Sequence, residues 1–63
     1  MKLFRYKITC EHRSKGNVRT IIVYYVVAHN LSSALVKFMN WHDSEYKHRR
    51  AYNVVSEMVG IYL

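Results

Sequence analysis

The stretch from Thr20 to Ala28, "TIIVYYVVA", constrains the fold of this chain most. Its residues are β-branched or aromatic nearly throughout, and such side chains favour a strand over a helix. Because both faces of this strand are apolar, we predict that it lies at the centre of a sheet. A single helix covers only one face of a sheet, so one apolar side of the strand is expected to stay exposed and to mark an interface.

Two alternating sets of side chains on this strand compete for the core, and the sequence leaves the choice between them open. One set comprises Ile21, Val23, Tyr25 and Val27, and the other comprises Ile22, Tyr24 and Val26. The working assignment places Val23, Tyr25 and Val27 in the core. The second set, Ile22, Tyr24 and Val26, is then the predicted protein interface.

The segment before this strand alternates between apolar and polar side chains from Leu3 to His12. A period of two is typical of a strand with one buried and one wet face. The next residues, "RSKGNV", contain Gly16 and Asn17, which tolerate positive φ. The two strands are therefore predicted to form a hairpin.

A helix is predicted after the second strand, in "HNLSSALVKF", with Asn30 as its N-cap. Residues at helical spacing define its apolar face: Leu31, Ala34, Leu35, Phe38, Trp41 and His42. We interpret "WHDSEYKHRR" as the last two turns of this helix. In the pairs Asp43–Lys47 and Glu45–Arg49 the acid precedes the base by four positions, as in helical ion pairs.

The last segment, Tyr52–Tyr62, favours a third strand, which Glu57 and Gly60 make an edge or irregular one. A second helix is the alternative. The predicted fold is therefore α+β: a three-stranded antiparallel sheet packed against one helix in the order β-β-α-β, as a single domain over residues 1–63. The predicted core comprises Phe4, Ile8, Val23, Tyr25, Val27, Leu31, Leu35, Phe38 and Trp41.

The net charge of +6, from ten basic against four acidic side chains, favours an acidic partner such as nucleic acid or an acidic protein surface. Basic residues occur on the first strand, in the hairpin and at the predicted helix end. These candidate binding residues are Arg5, Lys7, Arg13, Lys15, Arg19, Lys47, Arg49 and Arg50. Tyr6, Tyr24 or Tyr25, and Tyr52 are candidates to stack on bases.

The sequence carries no local motif for metal binding or catalysis. The histidines are His12, His29, His42 and His48, and no two of them share helical i,i+3 or i,i+4 spacing. Cys10 is the only cysteine and is interpreted as a small buried hydrophobic residue. We therefore predict no metal site and no cofactor. Without a nucleophile–base pair or a glycine-rich phosphate loop, we do not expect an enzyme.

The segment "YYVVAHNLSSALVKFMNW" joins a strand ending in Val-Val-Ala, a polar cap and a Leu-x-x-Ala-Leu helix start. Over residues 20–60 this pattern resembles small phage-encoded accessory proteins, including some anti-CRISPRs and inhibitors of host RNA polymerase. The resemblance implies a compact, non-enzymatic protein that acts by occupying a surface. It implies no particular site residue.

Two functions are consistent with these features. The first is a phage-encoded inhibitor that docks on a host or defence complex, for which a ribonucleoprotein is one candidate. The second is a basic protein that binds single-stranded DNA or RNA. A homodimer is also expected, because small domains often gain stability from a second copy. No membrane partner is expected, and we predict a cytoplasmic location, in the host cell if the chain is phage-encoded.

Overall fold

The computed structural model describes residues 2–62 and contains three strands and one helix. The elements are β1 (Phe4–Ser14), β2 (Val18–Ala28), α1 (Leu31–Glu45) and β3 (Tyr52–Ile61). The strands form one antiparallel sheet in the order β2-β1-β3. The predicted α+β fold and its β-β-α-β order are confirmed, as is a strand rather than a second helix in the last segment.

The central strand of the sheet is β1, so the prediction that β2 lies at the centre is wrong. Both β2 and β3 pair antiparallel with β1, and they therefore run parallel to each other. Parallel strands cannot be joined by a tight turn, and α1 supplies the crossover between them. The apolar character of both faces of β2 reflects cover by α1 on one face and an open apolar surface on the other.

The β1–β2 hairpin forms where the sequence predicted it. Ser14 pairs with Val18, and three residues connect the two strands. Gly16 has φ +84° and Asn17 has φ +60°, so the turn uses the two residues that tolerate this left-handed region best.

The start of α1 is also as predicted, but its end is not. The Ser33 N–H donates a hydrogen bond to Oδ1 of Asn30 at 2.8 Å, which is an N-cap bond. The helix ends at Glu45, and Tyr46 is its C-cap. Lys47 and Arg49 lie beyond the helix, so the helical i,i+4 pairs predicted for them do not form.

The core lies between α1 and the neighbouring faces of β1 and β2. Its buried apolar residues are Tyr6, Ile8, Cys10, Ala28, Ala34 and Phe38. Phe4, Leu35 and Trp41 pack against them as expected, whereas Leu31 is exposed. No helix formed by residues 2–62 is long and apolar enough to cross a membrane.

The assignment of the two faces of β2 is reversed in the structure. Tyr24 pairs with Ile8, and Ile22 pairs with Cys10, so the set Ile22, Tyr24 and Val26 shares the side of the buried β1 residues. The predicted interface therefore packs against the core. The residues Val23 and Tyr25 are 46% and 59% exposed, and Val27 lies with them on the opposite face.

Candidate nucleic-acid interface and buried histidine pair

The sheet face that α1 leaves uncovered is built from alternate residues of all three strands. Residues paired across antiparallel strands point to the same face, so the register gives its rows. The rows are Arg19 and Arg13; Ile21, Glu11 and Tyr52; Val23, Thr9 and Val55; Tyr25, Lys7 and Glu57; and Val27, Arg5 and Gly60. We call this surface the open sheet face.

The open sheet face brings together basic residues that are far apart in the sequence. Four of the predicted binding residues, Arg5, Lys7, Arg13 and Arg19, lie on β1 or β2 in its rows. Arg50 joins them from the loop before β3, because its guanidinium carbon lies 5.4 Å from the ring centre of Tyr52. The remaining three, Lys15, Lys47 and Arg49, lie in loops outside these rows.

Three tyrosines accompany the cations. The ring centre of Tyr52 also lies 4.5 Å from the guanidinium carbon of Arg13. The ring centre of Tyr62 lies 5.7 Å from the guanidinium carbon of Arg5. Tyr25 is exposed in the row of Lys7. Of the other stacking candidates, Tyr6 is buried and Tyr24 stacks on Trp41, so neither is available to a base.

Two acidic residues, Glu11 and Glu57, share the open sheet face. Oε2 of Glu11 accepts a hydrogen bond from the Asn53 amide at 3.0 Å. Oε1 is buried, has no hydrogen-bond partner among the described residues, and lies 3.8 Å from Nε of Arg19. Glu11 therefore offsets part of the Arg19 charge, while Arg13, directly opposite Arg19, has its guanidinium over Tyr52.

A second polar cluster lies on the other side of the sheet, inside the core. Cys10 and His12 are alternate residues on the buried side of β1, and His42 belongs to the last turn of α1. The Nε2 atoms of the two histidines are 2.7 Å apart and form a hydrogen bond. The ring of Tyr46 packs against both, with centroid distances of 4.6 Å to His12 and 5.3 Å to His42.

The surroundings of His12 and Cys10 favour the neutral forms of these two side chains. Burial lowers the pKa of His12, and electrostatic interactions with His42 and Arg49 lower it further. One imidazole therefore donates and the other accepts in their hydrogen bond. Cys10 is buried, as predicted, and its burial raises the pKa of the thiol.

The convergence of Cys10, His12 and His42 was missed by a search for helical spacing. Two features in the sequence were available: Cys10 and His12 stand at i,i+2 on the apolar side of a predicted strand, and His42 lies on the apolar helix face. Neither feature shows that the two faces meet at this point. His29 is not part of the cluster: it is exposed, and its Nδ1 lies 3.0 Å from the Lys2 carbonyl oxygen.

A groove of about 440 Å³ borders His42 on the helix side of the sheet. It exists because α1 packs over β1 and β2 but not over β3. Residues of α1, the following loop and β3 line it: Leu35, Phe38, Met39, His42, Asp43, Arg49, Arg50, Ala51 and Val54.

The fold and its open sheet face define a small α+β domain with one covered and one uncovered sheet surface. Comparisons of the chain with known protein families, with curated proteins and with solved structures give no match.

Proposed function

We propose that the chain binds a single strand of DNA or RNA on the open sheet face. The observation that supports this most directly is the pairing of exposed cations with tyrosines there: Arg13 and Arg50 at Tyr52, and Arg5 at Tyr62. Proteins that bind single strands combine basic surfaces that follow the phosphates with aromatic rings that stack on bases. Where a guanidinium group lies beside a ring, the guanidinium can bind the phosphate of a nucleotide while the ring stacks on its base.

The Arg13–Arg19 pair supports an anionic ligand in particular. These residues are directly opposite on neighbouring strands, and like charges in that position destabilise a sheet. Among the described residues, Glu11 forms an ion pair with Arg19 and not with Arg13. A phosphate group at this end of the sheet would relieve the repulsion, and the unfavourable pair therefore supports an anionic ligand there.

The dimensions of the open sheet face suit a short extended strand. Arg5 and Arg13 are eight residues apart on β1, which corresponds to about 26 Å along a strand. Binding sites of several nucleotides are usual on small β-rich modules of this kind. The exposed Tyr25 lies between the two ends and provides a stacking position there.

Fluorescence anisotropy with labelled single-stranded DNA, single-stranded RNA and duplex DNA tests this proposal. We expect the single strands to bind more tightly than the duplex, and their affinity to fall between about 50 and about 200 mM salt. The double variant Arg13→Gln/Arg50→Gln should bind more weakly. It should also reduce the slope of log K against log salt by about 1.4, since each phosphate contact on a single strand contributes roughly 0.7.

The matched control for this variant is Lys2→Gln/Lys37→Gln, which removes the same charge from exposed positions outside the rows of the open sheet face. It should keep most of the affinity. Equal loss in both variants would mean that net charge, not the open sheet face, drives association. An absence of binding even at about 50 mM salt would reject nucleic acid as the ligand.

Docking on a protein is the second candidate, and the apolar residues of the open sheet face favour it. Ile21, Val23 and Val55 are 59%, 46% and 61% exposed. The chain also exposes 4843 Å², compared with about 4300 Å² for a typical monomer of its mass. The proposed partners are a host or defence complex, inhibited by a phage-encoded chain as the resemblance implies, or a second copy in a homodimer.

The double variant Val23→Thr/Val55→Thr separates the two candidates. It keeps the shape and charge of the open sheet face but makes its centre polar. If the face docks on protein, the variant should lose homodimerisation in light scattering at micromolar concentration or lose capture of a defined bacterial complex. Oligonucleotide binding should change little. Val18→Thr/Val36→Thr, at exposed positions away from this face, is the control. Association unchanged by the first variant would contradict protein docking on this face.

A further inference from the structure

We propose that Cys10, His12 and His42 form a binding site for Zn²⁺ inside the core, independent of the open sheet face. One donor atom from each side chain lies within 4.8 Å of the other two, and all three residues are buried. Two imidazole nitrogens and one thiolate sulfur form a donor set that zinc binds in proteins. They come from β1 and α1, so the ion would join the sheet to the helix.

The donor atoms must move to hold a tetrahedral ion: the two histidine nitrogens must separate, and a sulfur–nitrogen distance near the 4.8 Å limit must shorten. With Zn–N near 2.05 Å and Zn–S near 2.3 Å, tetrahedral angles place the two nitrogens about 3.4 Å apart and each nitrogen about 3.6 Å from sulfur. The Nε2 atoms of His12 and His42 are now 2.7 Å apart, so they must separate by about 0.7 Å. Rotation of two imidazole rings about their side-chain bonds provides such a shift.

The position of the cluster next to the helix-side groove provides access. Of the three ligands, His42 lines this groove, so an ion would approach the cluster from the side of His42. Asp43 also lines the groove and adds a negative charge to it. Arg49 opposes a bare dication, but the Cys10 thiolate that forms on binding offsets this charge.

In a chain of this size, such an ion would stabilise the fold. Domains of about 60 residues bury too little surface for high stability and often use a disulfide or a metal. A disulfide within this chain is excluded because Cys10 is its only cysteine. Zn²⁺ bound only to the folded state at about 100 times its dissociation constant would raise the folded-to-unfolded ratio about 100-fold.

Binding must also release a proton. Zinc binds the thiolate form of cysteine, so the Cys10 thiol loses its proton when the Zn–S bond forms, and the proton leaves to solvent. The apparent affinity for Zn²⁺ is therefore expected to increase with pH across the neutral range.

Titration of the metal-free, reduced chain with Co²⁺ under anaerobic conditions tests this site, because Co²⁺ reports its ligands by absorption. We expect a thiolate-to-cobalt charge-transfer band in the near ultraviolet and intense visible bands typical of tetrahedral coordination. Zn²⁺ should displace the cobalt and raise the melting temperature. Chelator should reverse both effects.

Two variants assign the signal to these residues. Cys10→Ala should lose the charge-transfer band, and His12→Gln should weaken Co²⁺ binding at least tenfold. His29→Gln/His48→Gln changes exposed histidines and should leave the spectrum unaltered. Circular dichroism checks that each variant is folded. If Cys10→Ala or His12→Gln does not fold, His42→Gln is tested in its place, and it should also weaken Co²⁺ binding. A chain without the bands, or with bands that persist in Cys10→Ala, overturns the proposal.

Discussion

Phe38→Ala is expected to destabilise the chain by about 3–5 kcal/mol, the usual cost of removing a buried aromatic ring. Phe38 is 2% exposed and is among the largest fully buried side chains. Its ring contacts Tyr24 of β2 and Trp41 and His42 of α1, with centroid distances between 5.7 and 6.2 Å. The cavity would therefore open where the helix meets the sheet.

The consequence is large because the total stability is small. A chain of 63 residues is expected to have a free energy of unfolding of roughly 3–9 kcal/mol. The expected loss on removing the Phe38 ring is as large as the whole free energy of unfolding at the lower end of that range. We expect Phe38→Ala to be substantially unfolded at 25 °C, and Phe38→Leu, which keeps most of the apolar volume, to lose roughly 1–2 kcal/mol.

Urea unfolding followed by circular dichroism measures both changes. Met39→Ala is the matched control, because Met39 is the next residue of α1 and is 59% exposed. Its effect should stay within about 0.5 kcal/mol. If Phe38→Leu and Met39→Ala had equal effects, Phe38 would not be the centre of the core.

The local pattern of the sequence predicts β1, the hairpin and the start of α1. Each depends on neighbours along the chain: the alternation from Leu3 to His12, the turn residues Gly16 and Asn17, and the Asn30 cap. The buried side of β1 follows from the same alternation, because the charged side chains from Arg5 to Glu11 are confined to one face. Local sequence patterns predicted an element correctly where only one orientation of that element buries its apolar side chains.

The faces of β2 could not be assigned in this way because both are apolar. The deciding interactions are tertiary: Tyr24 pairs with Ile8 across the strands and stacks on Trp41 of α1 with a centroid distance of 4.5 Å. No pattern of neighbouring residues in the sequence predicts that strand register. The exposed apolar residues of β2 are therefore Ile21, Val23 and Tyr25 rather than the predicted Ile22, Tyr24 and Val26.

The end of α1 was mispredicted because weak local interactions compete there with packing. An exposed i,i+4 ion pair stabilises a helix by only a few tenths of a kcal/mol. In the structure, Tyr46 leaves the helix and its ring packs on His12 and Trp41, 4.6 and 5.6 Å away. Burial of an aromatic ring outweighs two exposed ion pairs, and the loop that follows brings Arg50 to Tyr52.

Single replacement of either buried histidine by leucine is expected to cost about 1–3 kcal/mol, whereas the double variant should cost less than the sum. His42→Leu leaves the Nε2 atom of His12 buried without its hydrogen-bond partner, and His12→Leu does the same to His42. An unsatisfied buried polar group carries its full desolvation cost. His12→Leu/His42→Leu removes both polar groups and fills the space with apolar side chains of similar volume.

A double-mutant cycle measures this coupling from urea unfolding in the presence of a chelator, so that bound metal does not contribute. Direct partners are expected to show an interaction energy of about 0.5–3 kcal/mol in the direction that makes the double variant relatively stable. The control cycle uses His29→Leu and His48→Leu, which are exposed and in which the two effects should add within about 0.5 kcal/mol. Additive losses at His12 and His42 would show that their hydrogen bond is absent in solution. Clear coupling would establish that β1 and the last turn of α1 are joined through this pair, the geometry that the proposed metal site requires.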